Sequence, residues 1–153
     1  MTDTAPSAAK SVKPPLRIAL AGLGTVGAGV IRLVEANADL IARRAGRAVQ
    51  VSVVSARDRS KDRGVALSGY AWEDDLSGIA ARDDVDVVVE LVGGSDGPAL
   101  TLARNAIAHG KALVTANKAM IAHHGMALAQ AAEARGVAMR FEAAVAGGIP
   151  VIK

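Results

Sequence analysis

Short apolar runs alternate with longer stretches of helical period along most of the chain. The apolar runs predict five strands: Leu16–Ala21, Val49–Ser55, Asp86–Val92, Ala112–Thr115 and Val137–Glu142. Such alternation is typical of a doubly wound α/β fold, with a mostly parallel sheet and helices on both faces. The run DVVVELV is the most apolar, so we expect it to be buried on both faces at the centre of the sheet.

The stretches between the strands carry helical periodicity. One long helix is predicted between the first two strands, because apolar residues recur there at spacings of three, four and seven: Val26, Val30, Leu33, Val34 and Ile41. Gly46 is placed to end it. Two further helices are predicted over about Pro98–His109 and Lys118–Arg135. The polar segment 57–78 stays unassigned, with short elements expected around Val65–Trp72 and Asp74–Ala81.

The two ends of the chain differ from this pattern. Residues 1–15 lack apolar periodicity and end in Pro14 and Pro15, which predicts a disordered tail before a domain over residues 16–142. No stretch reaches the roughly 18 apolar residues of a membrane span, and the tail lacks the apolar core of a secretory signal. We therefore expect a soluble, cytoplasmic protein with no membrane partner.

Composition excludes several classes of function. The 153 residues include no Cys, which removes disulfide scaffolds, thiolate metal sites and cysteine nucleophiles. A net charge of +3 and only three aromatic residues argue against nucleic acid as a partner. With 51% hydrophobic residues and so few aromatics, the core must consist of Ala, Val, Leu and Ile.

A glycine pattern occupies the first predicted turn. Gly22, Gly24 and Gly27 form G-x-G-x-x-G directly after a strand and directly before a helix. There the glycines permit a tight turn, close approach of a pyrophosphate and close packing of helix on strand. The amides around Thr25 and Val26 would face the phosphates at the positive end of the helix dipole. This predicts dinucleotide binding by a Rossmann-type domain; the alternative is a turn that is merely tight.

The end of the second strand bears on the choice of dinucleotide. Where NAD-binding domains usually carry an acidic residue for the adenosine ribose, this strand is followed by Arg57. A guanidinium can bond a 2′-phosphate with two N–H groups, which favours NADP. NAD remains an alternative because Asp58 follows and could serve a plain ribose. A solvated basic loop is the other interpretation of Arg57.

The turn after the central strand lies at the edge of the sheet where open α/β folds bind ligands. Gly93 and Gly94 would let the chain pass close to the ribose and nicotinamide of a cofactor. Ser95 is a further candidate contact, and it could equally be the cap of the next helix.

Thr115, Asn117 and Lys118 form another candidate cofactor contact at that edge, where the fourth strand passes into a helix. Lys118 lies on the first helical turn, where a cation opposes the helix dipole. The dipole and partial burial would both disfavour the charged form, which suits a group that transfers protons. A surface lysine with no such role is the alternative.

Four motifs together resemble homoserine dehydrogenase: GLGTVG at 22–27, VELVGG at 89–94, TANK at 115–118 and EAAVAGGIP at 142–150. The resemblance spans Leu16–Lys153 and corresponds to the N-terminal part of the family. It implies reversible NAD(P)-dependent interconversion of L-homoserine and L-aspartate 4-semialdehyde, a step toward threonine and methionine. It also implies that Thr25 and Val26 contact the cofactor, that Arg57 meets the adenosine phosphate, and that Lys118 is a catalytic residue near nicotinamide and substrate.

The resemblance further implies a monovalent cation, usually sodium, held by backbone carbonyls of the turn that contains Glu142, Val145, Gly147 and Ile149. A hinge between domains is the alternative for this segment.

Residues 143–153 would begin the connection to a substrate and dimerisation domain, which makes a homodimer of the full-length enzyme the expectation. The family's second lysine and its acidic substrate residues lie beyond Lys153. The chain alone is therefore expected to be inactive. A stand-alone NAD(P)-binding sensor is the alternative function.

Overall fold

The computed structural model describes residues 13–147. Residues 1–12 and 148–153 lie outside the described part, and so does most of the predicted tail. The last three residues of that tail, 13–15, are exposed and belong to no helix or strand.

Within residues 13–147, six strands form one sheet. They are β1 (Leu16–Ala21), β2 (Val49–Ser55), β3 (Ala71–Trp72), β4 (Val87–Glu90), β5 (Ala112–Thr115) and β6 (Met139–Arg140). The strand order is β3-β2-β1-β4-β5-β6, and every pairing is parallel. The predicted doubly wound α/β fold is confirmed, and the chain changes direction across the sheet between β1 and β4.

The described part contains four α-helices: α1 (Thr25–Ala36), α2 (Ala38–Ala45), α3 (Pro98–Ala108) and α4 (Lys118–Ala134). None of them is long and apolar enough to cross a membrane. The prediction of one long helix after β1 was wrong, because Asn37 leaves the helical region with φ −121° and separates α1 from α2. The Asn37 side chain donates to the Leu33 carbonyl at 2.9 Å, a local bond that competes with continued helix. Gly46 ends α2 in the left-handed conformation, as predicted.

Two predicted strands are shorter than expected. The run Asp86–Val92 is a strand only over β4, because the Glu90 side chain accepts the backbone N–H groups of Val92 and Gly93 at 2.7 and 3.0 Å. Those two residues therefore leave the ladder. The last strand pairs with β5 over β6 alone, rather than over Val137–Glu142.

The segment left unassigned from sequence contains two short elements. It forms β3 at the edge of the sheet, and a 3₁₀ helix over Gly78–Ala81 follows. Between β2 and β3 the chain makes a polar loop over residues 56–70 that lies beside the first turn of the fold.

Apolar side chains cover both faces of the sheet. Along β1, Ala19 and Ala21 face the side that carries α3 and α4, whereas Ile18 and Leu20 face the side that carries α1. As the composition predicts, the largest part of the described core consists of Ala, Val, Leu and Ile. β4 lies at the centre, and its Val88 and Glu90 are fully buried.

Candidate functional site

The turn between β1 and α1 leaves no space for side chains at two of its three glycines. Gly22 has φ +104°, and a Cβ there would lie 2.6 Å from the Leu91 carbonyl oxygen. A Cβ at Gly27 would lie 2.1 Å from the Gly22 carbonyl oxygen. A Cβ at Gly24, in contrast, would meet no atom within 4 Å. The outer two glycines thus let the chain pack on itself, and the middle one faces open space that a ligand can enter.

The N-terminus of α1 opens onto this space. Gly24 is its N-cap and supplies no side-chain hydrogen bond, and the first turn of α1 contains no acidic residue. Thr25 and Val26 are exposed, with Val26 at 60%. The first amides of a helix need acceptors, and the helix dipole is positive there. This arrangement suits an anionic group.

A cleft of about 480 Å³ extends from the glycine turn to the loop after β2. Its lining combines the turn, the basic loop and the chain that follows β4: Gly22, Leu23, Gly24, Ala56, Arg57, Asp58, Lys61, Arg63, Leu76, Leu91 and Val92. A smaller cavity of about 200 Å³ shares Leu91 and Val92 with it and is also lined by Val26, Gly93, Ala116 and Asn117. The predicted site residues of three separate segments thus meet at the carboxyl edge of the sheet.

The two residues that bear on cofactor choice differ in their surroundings. Arg57 is exposed on the cleft, and no residue of the described part hydrogen-bonds its side chain. The Asp58 carboxylate accepts the Ser60 N–H at 2.9 Å and its hydroxyl at 2.7 Å. Those bonds lower the pKa of Asp58, with the Ser60 hydroxyl as the largest cause. Asp58 is therefore engaged within its own loop, whereas Arg57 is available to a ligand.

A buried carboxylate organises the turns after β4 and β5. Glu90 has no solvent exposure; one of its oxygens accepts the N–H groups of Val92 and Gly93, and the other accepts the Thr115 hydroxyl at 2.5 Å. Because three donors meet the carboxylate, its burial is compensated. Glu90 thereby ties the turn after β4 to the end of β5.

The same network continues to the start of α4. The Thr115 hydroxyl accepts the Asn117 N–H at 3.0 Å, the Asn117 amide donates to the Gly94 carbonyl at 2.7 Å, and its oxygen accepts the Met120 N–H at 3.0 Å. Asn117 is thus the N-cap of α4 and also fastens the turn after β4. Thr115 and Asn117 were predicted as cofactor contacts, whereas no role was predicted for Glu90. The available signal was a lone carboxylate in an apolar strand.

Ser95 does not cap a helix, so that alternative was wrong. The N-cap of α3 is Gly97, and the Ser95 hydroxyl donates to Asp96 at 2.7 Å. His124 Nε2 of α4 lies 2.8 Å from the other Asp96 oxygen. The bonds from Ser95 and then His124 lower the pKa of Asp96. Gly93 and Gly94, both exposed and at positive φ, shape the turn that Ser95 ends.

Lys118 is the first residue of α4, as predicted, directly after its N-cap. The expectation of partial burial was wrong, because the Lys118 side chain is exposed. The side chain therefore keeps its freedom to move toward a ligand at the strand ends. Its position at the positive end of the α4 dipole is the remaining unfavourable feature.

The predicted cation segment is described only in part, since Ile149 lies outside residues 13–147. A short 3₁₀ helix spans Glu142–Ala144, and the Glu142 carbonyl accepts the Val145 N–H at 3.0 Å. Ala146 and Gly147 follow with φ +68° and +54°. Among the described residues, no cluster of three or more His, Asp or Glu side chains could hold a metal ion.

A groove of about 350 Å³ between α3 and α4 lies outside this site. It is lined mainly by apolar residues of the two helices, together with the polar side chains of Arg104, His124 and Arg135. It contains none of the predicted site residues.

The family model for the homoserine dehydrogenase NAD binding domain matches residues 22–142. The homoserine dehydrogenases of Pseudomonas aeruginosa and Neisseria gonorrhoeae are each 45% identical to the chain over 139 residues, which covers 91% of this chain and 31% and 32% of theirs. The chain thus spans about a third of the length of the curated relatives it matches.

Solved structures agree with these sequence relatives. A homoserine dehydrogenase from Thiobacillus denitrificans superposes with a TM-score of 0.83 at 43% identity, covering 90% of this chain and 32% of that one. A hyperthermophilic archaeal homoserine dehydrogenase in complex with NADPH superposes with a TM-score of 0.72 at 16% identity, covering 90% and 47%. At that identity the likeness shows the fold alone.

Proposed function

The chain belongs to the homoserine dehydrogenase family, whose NAD-binding domain it matches, and from this we propose that it binds a nicotinamide dinucleotide at the edge where β1, β2 and β4 end. This proposal is supported by the open space at Gly24, where no side chain caps the start of α1. A pyrophosphate would accept hydrogen bonds from the amides of Thr25 and Val26 there. When bound, the nicotinamide exchanges a hydride with the substrate.

The preferred cofactor is NADP(H). Arg57 is exposed on the cleft, and its planar guanidinium fits the 2′-phosphate of the adenosine ribose. Asp58, the residue that could serve a plain ribose, is held by Ser60. An acidic residue at position 57 would repel the 2′-phosphate and favour NAD(H), but this position holds an arginine.

Calorimetric titration of the chain with NADPH and NADH tests both parts of this proposal. We expect saturable binding of both cofactors and tighter binding of NADPH. Arg57→Ala should cost about 1.5–3 kcal/mol of NADPH binding, the worth of a charge-assisted contact, and leave NADH binding nearly unchanged. Arg59→Ala in the same loop is the matched control. Binding of neither cofactor would contradict the site, and a preference for NADH would contradict the role of Arg57.

We propose that residues 16–142 are the cofactor-binding domain of a longer homoserine dehydrogenase. That enzyme would interconvert L-homoserine and L-aspartate 4-semialdehyde. In that enzyme Lys118 is the catalytic residue of this segment. Its exposed ammonium at the start of α4 lies at the same sheet edge as the cavity that Gly93 and Asn117 line. Gly94, Ser95 and Thr115 support that edge.

The catalytic role of Lys118 can be tested by substitution in a full-length enzyme that carries this segment. Lys118→Ala should lower kcat by about 10² to 10⁴ fold, the range of general acid/base help, and weaken cofactor binding much less. The Lys118→Arg variant keeps the positive charge, but the arginine cannot release its proton at working pH, so this variant should be inactive as well. A loss of about tenfold or less in Lys118→Ala would assign the lysine a structural role.

The remaining parts of the proposal concern the rest of that enzyme. Residues 143–153 would lead toward a substrate and dimerisation domain, and backbone carbonyls of the segment that contains Glu142, Val145, Gly147 and Ile149 would hold a monovalent cation such as sodium in the homodimer. The 153-residue chain should then bind cofactor without oxidising homoserine. Oxidation of homoserine by the purified 153-residue chain would contradict this proposal.

A further inference from the structure

Arg63 joins the two loops that form the adenosine end of the cleft. Its Nε donates to the Leu23 carbonyl in the glycine turn at 2.9 Å, and Nη1 donates to the Lys61 carbonyl at 2.6 Å. Nη2 donates to the Asp58 carbonyl. All three guanidinium nitrogens therefore bond main-chain carbonyls, one in the turn after β1 and two in the loop after β2.

The first part of the loop after β2, residues 57–62, has few other contacts that could fix its position, apart from Arg59 over the Trp72 ring. Residues 57–62 are exposed, and the Asp58 bonds to Ser60 are local. Arg63 is half-buried, and its bond to Leu23 spans 40 positions of sequence. A loop with little buried apolar surface samples many conformations unless specific bonds restrict it. The Arg63 fork supplies that restriction.

The charge of Arg63 also stays in the site. Among residues 13–147, no carboxylate forms an ion pair with Arg63, although its own loop contains Asp58 and Asp62. A guanidinium remains protonated in proteins. Three of the five N–H donors of Arg63 are directed at carbonyls, whereas no residue of the described part accepts a bond from Arg57. The two arginines of this loop thus have different surroundings and can have different roles.

We propose that Arg63 is a positioning residue that sets selectivity for the 2′-phosphate of NADP(H), by holding the loop that carries Arg57 against the glycine turn. The inference rests on the proposed function and assigns Arg63 a task distinct from that of Arg57. Arg57 contacts the phosphate, and Arg63 keeps Arg57 within reach of it. Loss of Arg63 should therefore act on NADPH and leave NADH, which lacks the 2′-phosphate, nearly unaffected.

The test compares binding of NADPH and NADH to variants of the 153-residue chain by calorimetry. Arg63→Met should weaken NADPH binding by roughly tenfold or more and NADH binding by less than about threefold. Arg63→Lys should behave like Arg63→Met, because an ammonium cannot reproduce a fork to three carbonyls. Arg59→Met is the matched control: it removes a cation from the same loop, where Arg59 lies 5.5 Å from the Trp72 ring, and should leave both affinities unchanged.

A double-mutant cycle separates positioning from general damage. Once Arg57 is absent, its position no longer matters, so Arg57→Ala combined with Arg63→Met should bind NADPH about as well as Arg57→Ala alone. Circular dichroism and thermal midpoints identify variants that fail to fold, and Arg63→Gln then replaces Arg63→Met.

Three results would overturn the inference: equal weakening of NADPH and NADH by Arg63→Met, full NADPH selectivity in Arg63→Lys, or additive losses in the cycle. If the unaltered chain shows no preference for NADPH, the proposed cofactor choice fails instead. The two failures are thus distinguishable.

Discussion

The three glycines of the first turn should respond differently to the same substitution, because the structure gives them different surroundings. At Gly27 a new Cβ would lie 2.1 Å from the Gly22 carbonyl oxygen, far inside the 3.4 Å at which ordinary contact begins. Backbone atoms must then move. Overpacking of this kind costs about 3 kcal/mol. For a domain of this size, we expect Gly27→Ala to lower Tm by roughly 10 °C.

At Gly24 the same change should leave the fold intact. Its φ is −74°, which an Ala adopts freely, and no atom lies within 4 Å of the new Cβ. The cost is that of an Ala at an N-cap, about 1 kcal/mol or less. The methyl group would, however, occupy the space through which a pyrophosphate approaches α1. We expect Gly24→Ala to weaken NADPH binding by about tenfold or more.

Thermal unfolding and calorimetric titration of the two variants make the comparison. Gly29→Ala serves as the control, since Gly29 lies inside α1 with no atom near its Cβ and an Ala there should stabilise the helix by about 0.5–1 kcal/mol without affecting binding. A Gly27→Ala variant as stable as the unaltered chain, or a Gly24→Ala variant that binds NADPH equally well, would contradict these assignments.

Three further predictions concern other parts of the fold. Arg17 bonds Asp86 at 2.8 Å and is the largest cause of an Asp86 pKa lowered to about 2. Asp86 should therefore stabilise the fold above pH 3.8, and this stabilisation should be lost as the pH falls toward 2. Because the pair is about a third exposed, urea titrations should find a loss of about 1 kcal/mol in the free energy of unfolding over that range, and none in Asp86→Asn. Burial, followed by the bond to Glu35, raises the pKa of Tyr70 to about 12. The phenolate absorbance of this single tyrosine should therefore titrate near pH 12, and at lower pH in Glu35→Gln. A midpoint near pH 10 in the unaltered chain would contradict both causes. Glu90→Ala leaves the buried Thr115 hydroxyl and the partly buried N–H groups of Val92 and Gly93 without their acceptor, and should lower the free energy of unfolding by about 1–3 kcal/mol; a variant as stable as the parent would contradict this role of Glu90.

Much of the fold could be predicted because it follows from periodicity. The short apolar runs of β1, β2 and β5 are bounded by turn residues, and the bounds of these three strands agree with the prediction. The glycine turn was equally accessible, because G-x-G-x-x-G has a geometric meaning once a strand precedes it and a helix follows. The helix after β1 was predicted too long because the apolar period continues past Asn37, while the break depends on one side-chain bond.

The parts of the site that could not be predicted depend on pairings between distant residues. Glu90 and Thr115 are 25 positions apart, and Arg63 and Leu23 are 40 apart. Neither pairing leaves a periodic signal in the sequence, since each depends on the strand order that brings the loops together. The position of Lys118 followed from the strand-to-helix transition, but its exposure depends on what packs around the start of α4.

Binding of a dinucleotide where β1, β2 and β4 end can be observed residue by residue, by amide chemical-shift mapping of the isotope-labelled chain titrated with NADPH. We predict saturable shifts concentrated at residues 22–27, in the loop 57–63 and at Val92–Gly94. The groove between α3 and α4, lined by Arg104, Leu128 and Arg135 among others, provides the internal comparison. Shifts concentrated in that groove, or no saturable shifts at the glycine turn, would contradict binding at this edge of the sheet.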